Sequence, residues 1–357
     1  MVITMRANNV LGIIYSNAYD SVLSELTNAR TMGSVPFGGR YRLIDFALSN
    51  LVNCGINKVG IITKSNYQSL MDHIGTGKPW DLSRKRGGMF LLPPFNNSHT
   101  GMYRDRIQAL RGIMRFLEQS KEEYIVLMDT NVVCNFDLND MCRAHTESGA
   151  DITIAYHHGR APRLDDLMTF TFEENQKVAK IALDPKTSKP VDYAMNIILI
   201  SKALLTRLIN NAVSLNQDSF VRDVIQHNLK RLNIYGYEVS GFTSVFDSLQ
   251  SYYDISMSLL DPANCQELFT RERPVYTKVR DDMPAIYGLG STVKNSLVAD
   301  GCSIDGEVEN CILFRGVQIG KGAVVRNSII MQGTYISEGV HLDCVIADKS
   351  VVVRPHK

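Results

Sequence analysis

The phrase VKNSLV at residues 293–298 returns as VENCIL at residues 308–313 and again as VRNSII at residues 325–330. Between these copies, aliphatic residues recur six positions apart, with glycine and aspartate at the intervening turns. A period of six is typical of a left-handed parallel β-helix, whose triangular coil takes one inward aliphatic residue from each face. Ordinary hairpins would not keep this phase, so the repeat predicts about three coils, which we interpret as a packing and oligomerisation module. The recurring residues are Val298, Ile304, Leu313, Ile319, Val325, Ile330, Ile336 and Leu342.

Upstream of the repeat, short apolar runs alternate with longer amphipathic stretches from Val10 to about Tyr253. The runs read VLGIIYS, KVGIIT, YIVLMDT and DITIAY. One stretch between them is DFALSNLVNCG, in which Asp45 is placed to cap a helix and Gly55 to end it. This alternation predicts a Rossmann-like α/β fold, with a mostly parallel sheet covered by helices.

The two patterns divide the chain into two domains. We assign residues 1–255 to the α/β domain, residues 256–285 to a linker and residues 286–357 to the β-helix. Ligands of such sheets bind beyond the carboxyl ends of the strands. A functional site is therefore expected at the loops that follow VLGIIYS and YIVLMDT.

The composition argues against several classes of partner. Lys and Arg number 38 against 37 Asp and Glu, so the net charge of +1 gives no reason to expect a nucleic acid or a membrane surface. The seven cysteines form no CxxC pair, which favours buried thiols in a reducing compartment. The N-terminal apolar run is short and lacks a cleavage site, and no later segment approaches a membrane span. We expect a cytoplasmic protein.

The stretch PFGGRYRLIDFALSNLVNCGI, residues 36–56, resembles the bacterial ADP-glucose pyrophosphorylases, also called glucose-1-phosphate adenylyltransferases. The similarity continues through IGTGKPWDLSRKRGG and LLPPF and extends over nearly the whole chain, including the β-helix. Members of this family join ATP and glucose 1-phosphate into ADP-glucose and pyrophosphate, the committed step towards glycogen or starch. The resemblance therefore implies a nucleotidyltransferase fold.

The phosphate-binding motifs of the family are altered in this sequence. Nucleotidyl transfer requires positive charge and backbone amides around a polyphosphate. The family loop resembling GGxGTRL corresponds to residues 17–23, where the glycines are gone and Val22 replaces the arginine. Asp20 adds a negative charge, and Met32 stands where the RAKPA motif supplies a catalytic lysine. We expect Tyr19, Val22 and Met32 to fill or reshape the nucleotide pocket.

The resemblance also shows which metal and substrate residues have changed. Asn131 stands at the magnesium aspartate of a GDH motif, and Val245 at the second magnesium aspartate, in a string resembling YWRDVGT. An amide is a poorer magnesium ligand than a carboxylate. Asp129 and Asp247 lie nearby and leave a shifted metal site open. The substrate string resembling WYRGTADA becomes MYRDRIQA, with Asp105 and Gln108 as replacements; the EKP lysine maps to Asp184, and SMGIY becomes AMNII at residues 194–198.

These losses together make the sequence resemble the regulatory, non-catalytic D-type subunit of the family, which accompanies a catalytic C-type subunit. The resemblance implies a hetero- or homo-oligomer, a tetramer or dimer, with magnesium held by the catalytic partner and no cofactor in this chain. Any recovery of activity is expected to need Val22→Arg, Met32→Lys, Asn131→Asp and Val245→Asp together. Two alternatives are an active nucleotidyltransferase that uses Asp129 and Asp247, and, ranked last, an acyltransferase that uses His341 or His356 on the β-helix.

Arginines near the family motif are candidate ligands for an effector. Arg40 and Arg42 stand where family members have basic residues associated with phosphorylated activators. One residue apart on an extended segment, they point the same way and are placed to hold a phosphorylated metabolite or a sulfate. Arg84 could join the same anion site, whereas the alternative interpretation of all three is a solvated basic surface.

Overall fold

The computed structural model describes residues 7–94, 103, 105–184 and 187–355. Its first part is an α/β domain, and short 3₁₀ turns, among them Asp20–Leu23 and Met32–Ser34, lie in its loops. In chain order the strands and helices are β1 (Val10–Tyr15), α1 (Ser24–Thr27), β2 (Pro36–Phe37), β3 (Tyr41–Arg42), α2 (Leu43–Asn53), β4 (Lys58–Ile62), α3 (Gln68–Ile74), β5 (Gly88–Leu92), α4 (Arg106–Gly112), α5 (Met114–Gln119), β6 (Tyr124–Asp129), β7 (Val132–Cys134), α6 (Leu138–Ser148), β8 (Ile152–Gly159), β9 (Met168–Phe172), β10 (Val178–Leu183), β11 (Val191–Ser201), α7 (Lys202–Ser214), β12 (Ile234–Glu238), β13 (Thr243–Val245), α8 (Leu249–Ser258) and α9 (Pro262–Leu268).

The central sheet has the strand order β10-β9-β11-β6-β1-β4-β5, with β8 paired to β11 and β12 paired to β8. Strands β6, β1, β4 and β5 are parallel, whereas β11 runs antiparallel to β6, β8 and β9. This confirms the predicted mostly parallel sheet. At its carboxyl edge Tyr15 pairs with both Ile62 and Asp129, so the loops after β1 and β6 lie side by side, as the apolar runs predicted.

Helix α2 departs slightly from its predicted start. It begins at Leu43, two residues before Asp45, and Arg42 occupies the N-cap position. Its carboxylate instead accepts the backbone N–H of Arg42 at 3.0 Å from inside the first turn. Gly55 follows the helix with a φ of +84°, a left-handed conformation that glycine adopts without strain, and so ends the helix as predicted.

The second part of the chain forms three parallel sheets, which are the faces of the coil. Strands Ile286–Tyr287, Ser303–Ile304, Gln318–Ile319, Tyr335–Ile336 and Val352–Val353 make one face. The second face contains Thr292–Lys294, Glu307–Glu309, Val324–Arg326 and His341–Asp343, and the third Leu297–Val298, Ile312–Leu313, Ile329–Ile330 and Ile346–Ala347. This arrangement is that of the predicted left-handed β-helix, and the six-residue aliphatic series lines its interior.

The number of coils was underestimated from the sequence. Two of the faces have four strands each and the third has five, which makes four coils and a further strand rather than about three coils. The last coil was missed because its sequence no longer repeats the phrase, although Ile346 and Ala347 pair in register with Ile329 and Ile330. Asn295, Asn310 and Asn327, one in each copy of the phrase, adopt positive φ at tight corners and hydrogen-bond to one another along the coil. Cys344 adopts positive φ at the corresponding corner of the last coil.

The β-helix packs against the α/β domain through one of its faces. Ile312 and Ile329 point outward from that face into an apolar cluster shared with the α/β domain. Two polar contacts flank the cluster. Arg30 forms a two-fold ion pair with Asp348, at 2.7 and 2.8 Å, and the Tyr253 hydroxyl donates to the carbonyl of Asn327 at 2.6 Å. The α/β domain and the β-helix thus share a core.

Among the described residues, no helix combines the length and the apolar character needed to cross a membrane.

Candidate functional site

The loop after β1 is braced by its own side chains. Asp20 accepts hydrogen bonds from the backbone N–H of Met32 at 2.7 Å and from Nδ2 of Asn17 at 2.5 Å. Asn17 in turn accepts the backbone N–H of Lys64 at 2.8 Å. Burial raises the pKa of Asp20 to about 6, against the lowering effect of these donors. A phosphate-binding loop keeps its backbone amides for the anion, but here the amide of Val22 within the loop already donates to the carbonyl of Tyr19 at 3.1 Å.

Met32 has become part of the hydrophobic core. Its side chain is fully buried, at 0% exposure, in the apolar cluster that the α/β domain shares with the β-helix. Tyr19 and Val22 are partly buried and pack against the same cluster. The three positions expected to reshape the nucleotide pocket are therefore used for packing. Their buried neighbours in this cluster include Leu23, Leu26, Leu43 and Phe246.

Asn196 joins β11 to the loop after β1. Its Nδ2 donates to the hydroxyl of Tyr19 at 2.8 Å. Its φ of +53° lies in the left-handed region, where the pairing register of β11 shifts, and asparagine tolerates that region better than most residues. The family string SMGIY has a glycine at this position. The asparagine keeps the backbone conformation and adds a side chain that contacts the loop. The sequence showed this position only as a substitution in the family string and did not predict the contact.

Arg106 and Asp129 form a buried ion pair at the carboxyl edge of the sheet. Nη2 of Arg106 lies 2.5 Å from Oδ2 of Asp129, and the carboxylate is 1% exposed. The guanidinium also stacks over the ring of Tyr15 at 4.7 Å and that of Phe220 at 5.7 Å. Burial raises the pKa of Asp129, and the adjacent guanidinium opposes this rise. Arg106, which the sequence comparison did not single out, therefore occupies the centre of the site.

Asn131 and Val245, which the resemblance aligns with the magnesium aspartates of the family, are neighbours in the structure. Strand β13 pairs with β7 so that Val245 faces Val132, and the carbonyl of Asn131 accepts the backbone N–H of Phe246 at 2.9 Å. Both side chains are buried, and neither is a carboxylate. The nearby Asp247 instead accepts the backbone N–H of Arg163 at 2.8 Å.

The residues at this site do not fit a magnesium ion. Asp129 is paired with Arg106, and Asp247 is engaged with a backbone amide in another direction. Throughout the ranges that the structure describes, no three His, Cys, Asp or Glu side chains cluster as metal ligands would. Magnesium in phosphoryl-transfer sites is held by one or two carboxylates together with substrate phosphates. Asp129 and Asp247 are each engaged with another partner, so the arrangement does not favour the shifted metal site.

The remaining substrate positions have structural roles. Asp105 caps α4, since its Oδ1 accepts the backbone N–H of Gln108 at 2.8 Å. Asp184 is exposed and accepts the backbone N–H of Leu167 at 3.1 Å. Of the altered substrate string, Met102 and Arg104 lie outside the described residues.

A cationic cavity of about 260 Å³ lies between the α/β domain, the connecting segment and the β-helix. Arg40 and Arg42 line it together, as their spacing predicted, and Arg42 is fixed by donating to the carbonyl and hydroxyl of Ser69. Its lining contains one carboxylate, that of Asp72. An excess of positive charge in a concave site favours anions. The six cationic side chains that line it are Arg40, Arg42, Lys278, Arg280, Arg315 and Lys349.

Burial disfavours the charged forms of the cations in this cavity, because it removes part of their solvation. Burial lowers the pKa of Arg42 to about 10, and burial together with Arg42 and Arg30 lowers that of Lys349 to about 7. A bound anion would reverse this effect, because it would stabilise the charged forms. Sequence reasoning missed four of the six cations, since they come from the connecting segment and the β-helix and share no motif with Arg40.

Arg84 does not join this cavity. It pairs with Asp81 and lines a separate cavity of about 240 Å³, together with Asn57, Trp80 and Tyr276. The sequence expectation that Arg84 shares a site with Arg40 and Arg42 is therefore wrong for this structure. The physical reason is that the loop after α3 turns to the other end of α2, beside Gly55.

Comparisons with known proteins agree with this architecture. Residues 12–256 match the family described as nucleotidyl transferase, and residues 286–357 match the GlmU-like C-terminal hexapeptide family. A glucose-1-phosphate adenylyltransferase of Fervidobacterium nodosum is 30% identical over 96% of the chain and 84% of that protein. The chain belongs to the glucose-1-phosphate adenylyltransferase family.

Other relatives place the chain within this family more narrowly. The glycogen biosynthesis protein GlgD of Bacillus subtilis is 38% identical over 98% of the chain and 92% of that protein. The protein of the same name from Geobacillus stearothermophilus is 40% identical over 89% of the chain and 83% of its own length. The chain is thus a GlgD-type member of the glucose-1-phosphate adenylyltransferase family, and it carries the altered catalytic positions described above.

Proposed function

We propose that this chain is a regulatory subunit of glucose-1-phosphate adenylyltransferase in glycogen biosynthesis, and that it is inactive or very weak by itself. The observation that carries the proposal is the use of the catalytic positions for packing. Met32 lies in the hydrophobic core. Asn131 and Val245 are also buried, and neither side chain is a carboxylate. A magnesium-dependent transfer cannot proceed without its metal ligands and its charged clamp on the phosphates.

The proposed partner is a catalytic homologue, with which the chain forms a hetero-oligomer in the cytoplasm. The chain influences that partner only if it binds two states of it with different affinity. Couplings in allosteric systems are typically about 1–3 kcal/mol, equivalent to roughly 5- to 150-fold in affinity. An effect of this size on the kinetics of the partner is therefore expected.

The cationic cavity is the proposed effector site. Its cations come from three parts of the chain and repel one another. Asp300 beside Arg40 and Asp282 beside Arg315, both at 3.9 Å, offset only part of this repulsion. A phosphorylated metabolite or a sulfate would relieve this repulsion and hold the α/β domain, the connecting segment and the β-helix in one arrangement. Effector binding would thereby favour one state of the interface with the partner.

Assays of the purified chain, alone and mixed with a catalytic homologue, test the proposal. ADP-glucose synthesis is expected from the mixture, with altered activation, and to be absent or very weak in the chain alone. Light scattering after size-exclusion chromatography should show co-elution. Arg40→Ala should weaken activation of the mixture by the effector without preventing assembly, while the matched control Arg84→Ala, outside the cavity, should change neither.

Two results would contradict the proposal. If the chains never co-elute and an excess of this chain leaves the kinetics of the partner unchanged, the regulatory role fails. Substantial magnesium-dependent synthesis by the isolated chain would instead favour an active nucleotidyltransferase with an altered metal site. That alternative has little structural support, because Asp129 is already paired with Arg106.

A further inference from the structure

We infer that the guanidinium of Arg106 takes the place of the divalent cation at this site, so that the chain carries an internal cation where its family implies a metal. The inference does not depend on a regulatory role, since it concerns only the isolated chain. It goes beyond the loss of ligands at Asn131 and Val245. A lost ligand leaves a weakened metal site, whereas an inserted cation excludes the metal.

The position of Arg106 is fixed by the fold on both sides. It is the first residue of α4, and the preceding Asp105 caps that helix. Its guanidinium reaches the end of β6, where it pairs with Asp129 at 2.5 Å and stacks over the ring of Tyr15. Asp129 is two residues before Asn131 in the chain. The positive charge therefore lies at the carboxyl end of β6, two residues before the position that the resemblance aligns with a magnesium aspartate.

Charge balance explains why the pair is retained. A carboxylate that is 1% exposed is strongly unfavourable unless a cation neutralises it, and Arg106 supplies that charge from within the chain. A divalent cation that entered the same region would be repelled by the guanidinium in a poorly solvated environment. The two charges of the pair thus balance each other, and no metal is needed to neutralise Asp129.

The surrounding polar atoms show that the site was substituted rather than filled with apolar side chains. Several buried atoms have no hydrogen-bond partner within the described part of the chain. They are the hydroxyl of Tyr15, Nη1 of Arg106, Oδ1 of Asp129 and both amide atoms of Asn131. Buried polar groups without partners are rare, and three of these residues, Tyr15, Arg106 and Asp129, are linked by the ion pair and the ring contact. On this inference, carboxylates restored at positions 131 and 245 would be attracted to Arg106 in competition with a metal.

This inference changes which substitutions are needed to restore metal binding. In the double variant Asn131→Asp, Val245→Asp, the guanidinium is expected to pair with a new carboxylate, and the affinity for Mn²⁺ should stay as low as in the wild type. Adding Arg106→Thr, which restores the family residue of the WYRGTADA string, should raise the affinity for Mn²⁺ at least tenfold. The measurement is titration with Mn²⁺ alone, followed by electron paramagnetic resonance of the free ion.

Two further variants make the test specific. Arg106→Gln in the double-variant background removes the charge but keeps a donor for Asp129, so it provides a folded variant if the threonine does not. Arg111→Thr in the same background removes an exposed arginine of α4 that bonds to Asn210, and should give no gain. Circular dichroism confirms folding of each variant.

The inference is overturned by any of three results. The first is binding of Mn²⁺ by the double variant as tight as that by the variants that lack Arg106. The second is binding of one Mn²⁺ at micromolar concentration by the wild-type chain. The third is an equal gain from Arg111→Thr and Arg106→Thr. None of these titrations involves a partner subunit, so their outcome is separate from that of the regulatory proposal.

Discussion

Replacing Met32 by lysine, the residue that the RAKPA motif implies at this position, should destabilise the α/β domain. Met32 is 0% exposed in an apolar cluster, so the lysine must lose its proton on folding. Full burial lowers the pKa of a lysine by up to roughly 3–5 units from its ordinary value of about 10.4. At pH 7 the unfolded lysine is charged and the folded one mostly neutral, which corresponds to a loss of about 4 kcal/mol in the free energy of unfolding.

The sign of the pH dependence separates burial of the charge from simple loss of packing. The lowered pKa means that the unfolded chain binds more protons between about pH 7 and pH 10, so stability of the variant should rise with pH by about 1.4 kcal/mol per unit in that range. Met32→Leu, nearly equal in volume, should cost under about 1.5 kcal/mol at every pH. Trp80, the single tryptophan and 2% exposed, reports unfolding of this domain by fluorescence in urea.

Equal stability of Met32→Lys and Met32→Leu at pH 7 would refute the reasoning. The lysine would then reach solvent or a counter-charge, and the nearest candidate is the carboxylate of Asp20, which already accepts the backbone N–H of residue 32. The double variant Asp20→Asn, Met32→Lys distinguishes these two cases, because only the second would lose stability when the carboxylate is removed.

Two further predictions concern the contact between the domains and the anion cavity. A double-mutant cycle of Arg30→Ala and Asp348→Ala should give a coupling of about 1–2 kcal/mol in thermal unfolding, since the pair is two-fold but Asp348 is 39% exposed; additive effects would contradict it. Sulfate affinity, measured by calorimetry, should fall as pH rises from 6 to 8, because burial and the neighbouring arginines hold the pKa of Lys349 at about 7 and only its charged form attracts the anion. Burial lowers the pKa of His73, which also lines the cavity. Lys349→Gln should remove the pH dependence, and persistence of the pH dependence in this variant would point to another group such as His73.

The catalytic losses illustrate what residue identity alone can decide. No conformation gives Met32 an ammonium group or Val245 a carboxylate, so the chemistry that these positions lost was predictable without a structure. The structural consequence of these substitutions was not predictable from the sequence. Met32 became a core residue and Asn131 a buried amide without a hydrogen-bond partner among the described residues, and these outcomes depend on the neighbours that the fold supplies.

The sequence by itself determined the two-domain architecture, because the periods of six in the β-helix and of alternating apolar runs in the α/β domain follow from local backbone geometry. Only the tertiary structure decided the contacts that define the sites. Arg106 meets Asp129 because β1 and β6 end, and α4 begins, at one edge of the sheet, and Lys349 meets Arg42 because the β-helix packs back onto the α/β domain. Arg84 is nearer to Arg42 in the chain than Lys349 is, yet it lies in another cavity for the same reason. Periodicity records which face of an element is buried, whereas the pairing of distant charges depends on how elements pack, and no local pattern contains that information.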